Sequence, residues 1–165
     1  MRNAVAIQLR DGTVYFEQPP RLLEAVTTQN TAYVWGATYY FTVRLPENAG
    51  EPLQRVTINQ HDGIEYIRLK LEDTEAFEGT YGQKGADVNL AEVKSDRENR
   101  SVAIAFSPPV TPGKTVTIAL YPRRNPKSGG IYQFGVTAFP PGEKSHGQFL
   151  GFGRLHFYGY GDRIW

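Results

Sequence analysis

Apolar residues alternate with other residues on both sides of a Pro-Pro-Gly turn in residues 131–158. In the first half, every second residue from Tyr132 to Ala138 is apolar, the period that places one face of a β-strand on a core and the other in water. Pro140 and Pro141 then end the run, because proline lacks a ladder donor and restricts the residue before it to extended conformations. The segment predicts two strands joined by a turn, and it contains no chemical motif.

The same alternation recurs along most of the chain and predicts about ten short strands. They cover residues 5–9, 13–18, 33–45, 53–60, 65–71, 88–94, 101–106, 114–120, 131–139 and 149–158. Turn signals separate them: Asp11-Gly12 and Asp62-Gly63 suit tight hairpins, while Pro46 and Pro122 interrupt pairing. No sustained helical period competes, and residues 74–77 predict at most one helical turn.

Alternation also predicts which side chains form the core. The predicted core residues are Tyr39, Phe41, Val43, Leu45, Val56, Ile58, Ile67, Leu69, Leu71, Val102, Ile104, Phe106, Val116, Ile118, Leu120, Phe134 and Val136. Short strands with frequent glycine and proline turns pack sheet on sheet. We therefore predict an all-β fold, an antiparallel, immunoglobulin-like sandwich of two sheets, with a closed barrel as the alternative.

Composition limits the classes of function. The length of 165 residues suits one domain, residues 1–165, and the absence of cysteine excludes disulfides and thiolate chemistry. With 18 basic and 17 acidic residues the net charge is +1, which argues against a general nucleic-acid binder. The longest apolar runs are far shorter than the roughly 20 residues of a membrane-spanning helix. No signal-peptide pattern begins at Met1, so either the protein stays in the cytoplasm or a targeting segment is missing from this sequence.

Three histidines are the natural candidates for a metal site. His61 lies beside Asp62 in a predicted hairpin turn, His146 lies in a loop rich in glycine and proline, and His156 falls on the outer face of a strand. No His-x-His or HExxH spacing is present, so a zinc or copper site would need distant loops to converge. We predict no metal site and no cofactor.

Catalytic motifs are also missing from the sequence. There is no GxSxG elbow for a nucleophilic serine, and the glycines of GQFLGFGRL, residues 147–155, do not follow the dinucleotide-binding pattern. Those glycines instead predict a β-bulge or a close approach of two backbones. We predict no catalytic residue.

Two groups of residues remain as candidate contact sites. Four acidic residues, Glu72, Asp73, Glu75 and Glu78, lie close together but lack the spacing of a calcium-binding EF-hand loop. Among the aromatic residues, Tyr40 follows Tyr39 in the same strand, so its side chain points to the opposite face and is predicted to face water. Trp35 would point to the same face as Tyr39 unless a bulge at Gly36 changes the alternation. An outward tyrosine is a candidate for contact with a partner.

Chain direction extends this to a prediction about the two ends of the sandwich. Antiparallel strands alternate the positions of their loops, which places residues 46–52, 72–87, 107–113 and 140–148 at one end. The other end receives residues 61–64, 95–100, 121–130 and the carboxyl tail. The first end would then be acidic, with Glu72, Asp73, Glu75 and Glu78, and would meet cations or a basic partner. The second would be basic, with Arg97, Arg100, Arg123, Arg124, Lys127 and Arg163 against acids that include Asp162, and would meet an anionic partner. The alternative is that both sets belong to ordinary solvated loops.

Four separated segments resemble a known family. They read DGTVYFEQPPRLLEAVTT, ATYYFTVRLPENAGEPLQRVTI, PPVTPGKTVTIALYPRRNP and GVTAFPPGEKSHGQFLGFGRLHFY, and they occur in this order. The chain resembles the cyanobacterial domain of unknown function 2808 over nearly its whole length. This resemblance implies an export signal upstream of residue 1 in the native protein, and it carries over no activity, cofactor or binding residue. The strand order is also similar to immunoglobulin-like copper-handling domains of the bacterial periplasm, whose histidine, methionine and cysteine ligands this chain lacks.

The sequence and the resemblance together predict an exported, non-enzymatic domain that binds or scaffolds a protein of the cell envelope or thylakoid lumen, in the periplasm or lumen. Tyr40, Arg123, Arg124 and Lys127 are the predicted partner contacts. Two alternatives stay open: a periplasmic domain that handles copper or calcium, and an uncharacterised hydrolase. The partner and the oligomeric state do not follow from the sequence.

Overall fold

A computed structural model describes residues 7–8 and 12–159, with side chains from residue 12 onward. The strands are β1 (Ile7–Gln8), β2 (Val14–Tyr15), β3 (Arg21–Thr27), β4 (Tyr39–Arg44), β5 (Leu53–Asp62), β6 (Glu75–Thr80), β7 (Gln83–Asp87), β8 (Leu90–Asp96), β9 (Ser101–Val110), β10 (Thr115–Leu120), β11 (Gly130–Phe139) and β12 (Gln148–Phe157). A single 3₁₀ turn, Leu71–Asp73, interrupts them in this part of the chain.

Ten of these strands form two five-stranded sheets, in the orders β3-β4-β10-β6-β7 and β12-β11-β5-β9-β8, and β1 pairs with β2. Every strand pair within the sheets is antiparallel. The predicted antiparallel, immunoglobulin-like sandwich of two sheets is therefore confirmed. The predicted strand at residues 5–9 lies mostly outside the described residues, where only Ile7–Gln8 is seen as β1.

The core lies between the two sheets and follows the predicted alternation. All but two of the predicted core side chains are buried, and Leu69 and Leu71 pack partly buried against them. Burial of each such side chain is worth about 1.5–3 kcal/mol relative to exposure, so the inner faces dominate the stability.

The glycine-rich segment of β12 contains both features predicted for it. The register of β11 against β12 shifts between Val136 and Thr137, which marks a bulge. Further along β12, Gly153 approaches β3 so closely that an added Cβ would lie 2.6 Å from the Cβ of Ala25. The missing side chain therefore allows the two sheets to close along this edge.

The predicted strand at residues 65–71 is wrong. Only Leu69 makes a bridge, to Pro122, and the segment ends in the 3₁₀ turn. The predicted helical turn at residues 74–77 is also wrong, because these residues enter β6. Alternation correctly identified the side of the segment that packs on the core, since Ile67 is buried. Alternation does not show whether the backbone of a segment pairs with a neighbouring strand.

This error changes the end of the sandwich at which most of the predicted acidic residues lie. We call the end with loops 28–38, 63–74, 97–100 and 121–129 the lower end, and the end with loops 45–52, 111–114 and 140–147 the upper end. Residues 65–71 do not run from one end of the sandwich to the other, so Glu72, Asp73 and Glu75 stay at the lower end, with the loop that carries Arg124. Glu78 alone points toward the upper end, where it pairs with Lys114 at 3.1 Å. The predicted separation into an acidic and a basic end is therefore wrong, and Asp162 and Arg163 lie outside the described residues.

Candidate functional site

A cleft of about 280 Å³ opens between the two sheets at the lower end. Its floor consists of side chains from the inner faces of both sheets together with Ile67 from a loop, and its walls are the segments 66–72, 95–101 and 120–123. The floor side chains are Tyr39, Ile58, Ile67, Val102, Leu120 and Phe134, all of them buried. The cleft therefore presents an apolar base that the core itself holds in place.

Four arginines of the described chain line this cleft: Arg68, Arg97, Arg100 and Arg123. All four are exposed, and in the part of the chain that the structure describes none forms an ion pair. Arg100 lies 6.0 Å from the ring centroid of Tyr66, which also lines the cleft. Glu72 is the one carboxylate among the lining residues that the structure describes. We call this site the arginine cleft.

The wall that carries Arg68 is fastened by the buried side chain of Gln60. Its Nε2 donates to the carbonyl oxygen of Glu65 at 2.7 Å, and its Oε1 accepts from the backbone N–H of Ile67 at 2.9 Å. Further along, the backbone N–H of Arg123 donates to the carbonyl oxygen of Arg68 at 2.8 Å. The loop is therefore held by the Gln60 side chain and by the isolated bridge of Leu69 to Pro122, and two of the four arginines have a fixed backbone separation.

The turn between β8 and β9 carries the other two arginines. The Asp96 carboxylate accepts from the backbone N–H of Glu98 at 3.0 Å and from the side chain of Asn99 at 2.7 Å, which folds the turn. Arg100 closes it with a φ of 51°, in the left-handed region that non-glycine residues enter rarely. The turn thus places an arginine where glycine would suit the backbone better.

Of the predicted partner contacts, only Arg123 lines the cleft. Arg124 instead binds Glu65, with Nη2 3.0 Å from Oε2, and the other oxygen of Glu65 accepts from the backbone N–H of Lys127 at 2.7 Å. Arg124 and Lys127 also lie 5.2 and 5.7 Å from the ring centroid of Tyr33. These two cations therefore support the loop that carries Arg123.

Tyr40 lies on the outer face of its sheet, as predicted, but it is half-buried. Its ring lies 4.5 Å from the ring of Tyr81 and 6.2 Å from the ring of Phe77, centroid to centroid. Burial and the neighbouring Tyr81 raise the pKa of Tyr40. The prediction that Tyr40 is exposed is therefore wrong, because the β6–β7 hairpin covers this part of the face. Trp35 is 74% exposed and does not share the inward orientation of Tyr39. It precedes Gly36, whose φ of 86° breaks the alternation of side chains between the two residues.

The four acidic residues of the predicted acidic end have four separate surroundings. Glu72 lines the arginine cleft, Asp73 lies 3.8 Å from Lys70, and Glu78 binds Lys114. Glu75 accepts a 3.3 Å hydrogen bond from the Tyr121 hydroxyl. They do not form one acidic surface.

The three histidines each contact a different aromatic ring. His61 lies 4.9 Å from Phe152 in a tilted arrangement, while His146 and His156 stack on Tyr15 at 4.5 Å and on Tyr158 at 4.2 Å, between ring centroids. Within residues 12–159, no three histidine, aspartate or glutamate side chains converge as metal ligands.

The raised pKa values fall mainly on buried and half-buried tyrosines. Burial raises the pKa of Tyr39, with a contribution from Tyr132, and raises the pKa of Tyr132 itself. Burial, followed by the charge of Glu75, raises the pKa of Tyr121 to about 12. Tyrosines with raised pKa values are protonated at neutral pH and act as hydrogen-bond donors, and at the cleft floor Tyr39 donates to Asn125.

The sequence placed Arg97 and Arg100 at the same end as Arg123 but did not single them out as partner contacts, and it missed Arg68. Arg68, the turn of Arg97 and Arg100, and Arg123 are far apart in the sequence and come together because three loops meet at the lower end. The DRENR turn, with arginine on both sides of a polar centre, was a signal for Arg97 and Arg100, and no such signal marks Arg68.

A profile of the family described as "Protein of unknown function (DUF2808)" matches residues 13–157. The sequence matches no curated protein. In the described residues, no helix has the length and apolar character needed to cross a membrane.

Several solved structures resemble the fold at low identity. The collagen-binding domain of a Staphylococcus aureus adhesin is 7% identical with a TM-score of 0.43, covering 84% of this chain and 96% of that one. The C-terminal domain of the Streptococcus pyogenes antigen I/II-family protein AspA is 13% identical with a TM-score of 0.44, over 81% and 46% of the two chains. A Corynebacterium diphtheriae protein described as membrane-anchored is 13% identical with a TM-score of 0.47, over 93% and 37%.

Proposed function

The chain belongs to the DUF2808 family, whose activity is unknown, and we propose that it is a non-enzymatic binding domain that acts through the arginine cleft. The partner is a protein of the cell envelope or thylakoid lumen. Export to the periplasm or lumen is part of the proposal and rests on the sequence resemblance.

One observation carries the proposal: the cleft joins an apolar floor to a rim of four arginines that have no ion-pair partner among residues 12–159. Binding sites are concave, mostly apolar and carry a few placed polar groups. Arginine is also enriched among the residues that dominate protein interfaces. The cleft combines these two properties at one end of a rigid sandwich.

The chemistry of the cleft favours binding over hydrolysis. A hydrolytic site needs a nucleophile beside a base, or a base with a pKa near neutrality. The described residues that line the cleft offer four guanidinium groups, Glu72, two serines and two tyrosines, and burial holds the Tyr39 phenol protonated. Guanidinium groups stay charged at all accessible pH values and recognise anions, so they do not serve as bases.

Photo-crosslinking in cells tests this function. Ser95 is exposed and lines the cleft, so a benzoylphenylalanine at that position should crosslink to one defined envelope protein after irradiation. The matched control carries the same group in place of Glu143, which is exposed at the upper end. Equal crosslinking from both positions, or none from Ser95, would contradict a binding function at the cleft. Fractionation of the same cells tests export, because a cytoplasmic chain would end that part of the proposal.

A further inference from the structure

We infer that the arginine cleft recognises an acidic protein segment that places one apolar side chain between carboxylates. This inference rests on the proposed binding function and names the chemistry of the partner. The apolar side chain enters the floor of the cleft, and the flanking carboxylates bind the arginine rim.

Charge complementarity supports the acidic class of partner. Among the lining residues that the structure describes, four guanidinium groups face the single carboxylate of Glu72. A guanidinium offers a planar fork of donors that fits a carboxylate with two parallel hydrogen bonds. The rim therefore has unused donor capacity for several carboxylates, which matches an acidic segment better than a single anion.

The size of the cleft supports one anchor side chain. Sites for drug-sized molecules occupy about 300–1,000 Å³, and this cleft, at about 280 Å³, lies just below that range. Interfaces commonly place a buried anchor in such a pocket and surround it with contacts that exclude water. A side chain of the size of leucine or phenylalanine fits this description.

Exposed apolar side chains beside the cleft support a macromolecular partner. Ile64 is 77% exposed and belongs to the same loop as the lining residues Tyr66 and Ile67. Tyr33 is 55% exposed and lies against Lys127, in the loop that carries Arg123. A small molecule would occupy the cleft alone and leave both side chains in water, whereas a protein segment that crosses the rim covers them.

The site is also largely preformed. Gln60 fixes the loop that carries Arg68, and the Asp96 turn fixes the backbone of Arg97 and Arg100. Preorganised loops lower the entropic cost of binding. The expected binding mode is therefore insertion of the anchor without rearrangement of the sheets.

Titration with synthetic peptides tests the inference. The probe is a capped peptide with one phenylalanine between two pairs of glutamates, flanked by glycine and serine, and binding is followed by fluorescence anisotropy. Replacing the phenylalanine by serine should weaken binding about tenfold, because it removes one buried anchor. Replacing the glutamates by glutamine should weaken it at least tenfold and remove the dependence of affinity on salt.

Variants of the protein supply the matching half of the test. Arg97→Glu with Arg123→Glu should abolish measurable binding, because the rim then carries acidic groups in place of two cations. Arg21→Glu is the matched control, since Arg21 is exposed at the upper end of β3, and it should bind like the wild type. All of these substitutions are at exposed positions, and circular dichroism verifies that each variant is folded.

The outcomes separate the inference from the proposed function. Crosslinking from Ser95 together with unchanged peptide affinity in the double variant would overturn the acidic-segment inference and leave the binding function standing. Binding of decanoate, but not of the peptide, with loss in the double variant would also overturn it, in favour of a small amphiphile. Absence of the Ser95 crosslink together with absence of peptide binding by the wild type would overturn the function and the inference together.

Discussion

The Tyr39 hydroxyl donates a 2.6 Å hydrogen bond to the side-chain oxygen of Asn125, which is fully buried. The side-chain nitrogen of Asn125 donates to the carbonyl oxygens of Gln29 and Thr31, each at 2.9 Å. One amide thus joins strand β4, the loop before it and the loop that carries Arg123. This side chain couples the cleft floor to the cleft rim.

Replacement of Asn125 by alanine should lower the free energy of unfolding by about 2–4 kcal/mol, because the buried hydroxyl and two carbonyls lose their partners. Urea denaturation measures the loss. Asn99→Ala, which removes an exposed hydrogen bond to Asp96, is the control and should cost less than about 1 kcal/mol. Equal losses would show that the Asn125 network does not stabilise the fold.

Tyr121 should ionise about two pH units later than an exposed tyrosine, with a pKa near 12. Phenolate absorbance during an alkaline titration should lose this late step in Tyr121→Phe. Glu75→Gln should move the step to lower pH, because the charge of Glu75 contributes to raising it. A late step that persists in Tyr121→Phe would assign it to another tyrosine.

The same shift predicts how stability depends on alkaline pH. The folded pKa is raised above the unfolded value of about 10, so the unfolded chain releases its proton first. The contribution to stability is therefore complete below about pH 10 and is lost as the pH rises through about 12. Denaturant midpoints across this range should fall less steeply for Tyr121→Phe than for the wild type, and parallel curves would contradict the assignment.

Gly153→Ala should cost about 1–3 kcal/mol, because its Cβ would overlap Ala25 and press on Phe41, 3.1 Å away. Gly82→Ala is the control, since an added Cβ there meets no atom within 4 Å. The double variant with Ala25→Gly should recover part of the loss by removing the opposing methyl group. Thermal denaturation measures all three, and no recovery in the double variant would place the strain elsewhere.

Arg100→Gly should leave stability unchanged within about 0.5 kcal/mol, because relief of the left-handed strain offsets the added entropy of glycine in the unfolded chain. The same substitution should weaken binding of the acidic peptide about tenfold, since it removes one rim cation. Chemical denaturation and anisotropy measure the two effects separately. A loss of stability above about 1 kcal/mol would assign Arg100 a structural role instead.

Most of the sandwich could be predicted from the sequence where alternation coincides with strand pairing. Strands β5, β9, β10 and β11 pair on both edges, and the edge strand β12 contributes Leu155 and Phe157 to the core; all five were predicted. β7 could not be predicted, because QKGAD is exposed at every residue and is held only by its ladder with β6. Its backbone pairing leaves no hydrophobic pattern in the sequence.

The arginine cleft could be predicted only in part. Chain direction assigned the loops of Arg97, Arg100 and Arg123 to one end, but the cleft wall with Arg68 was predicted as a strand. Reading residues 65–71 as a strand moved Glu72 and Glu75 to the wrong end. Arg123 was identified as a candidate, but the same pattern selected Arg124 and Lys127. Arg124 forms an ion pair with Glu65, which is 59 residues away in the chain, and the backbone N–H of Lys127 donates to the same carboxylate. Ion pairs between distant loops decide which cations are free to bind a partner, and a linear pattern contains no information about them.

Two of the loops that form the walls of the cleft, residues 63–74 and 121–129, connect one sheet to the other. A bound segment that touches Arg68 and Arg123 therefore spans both crossovers and acts as a cross-brace at this end of the molecule. One sheet can slide past the other only after the bound segment has left the cleft. Occupancy of the cleft would therefore raise the force needed to slide the two sheets apart.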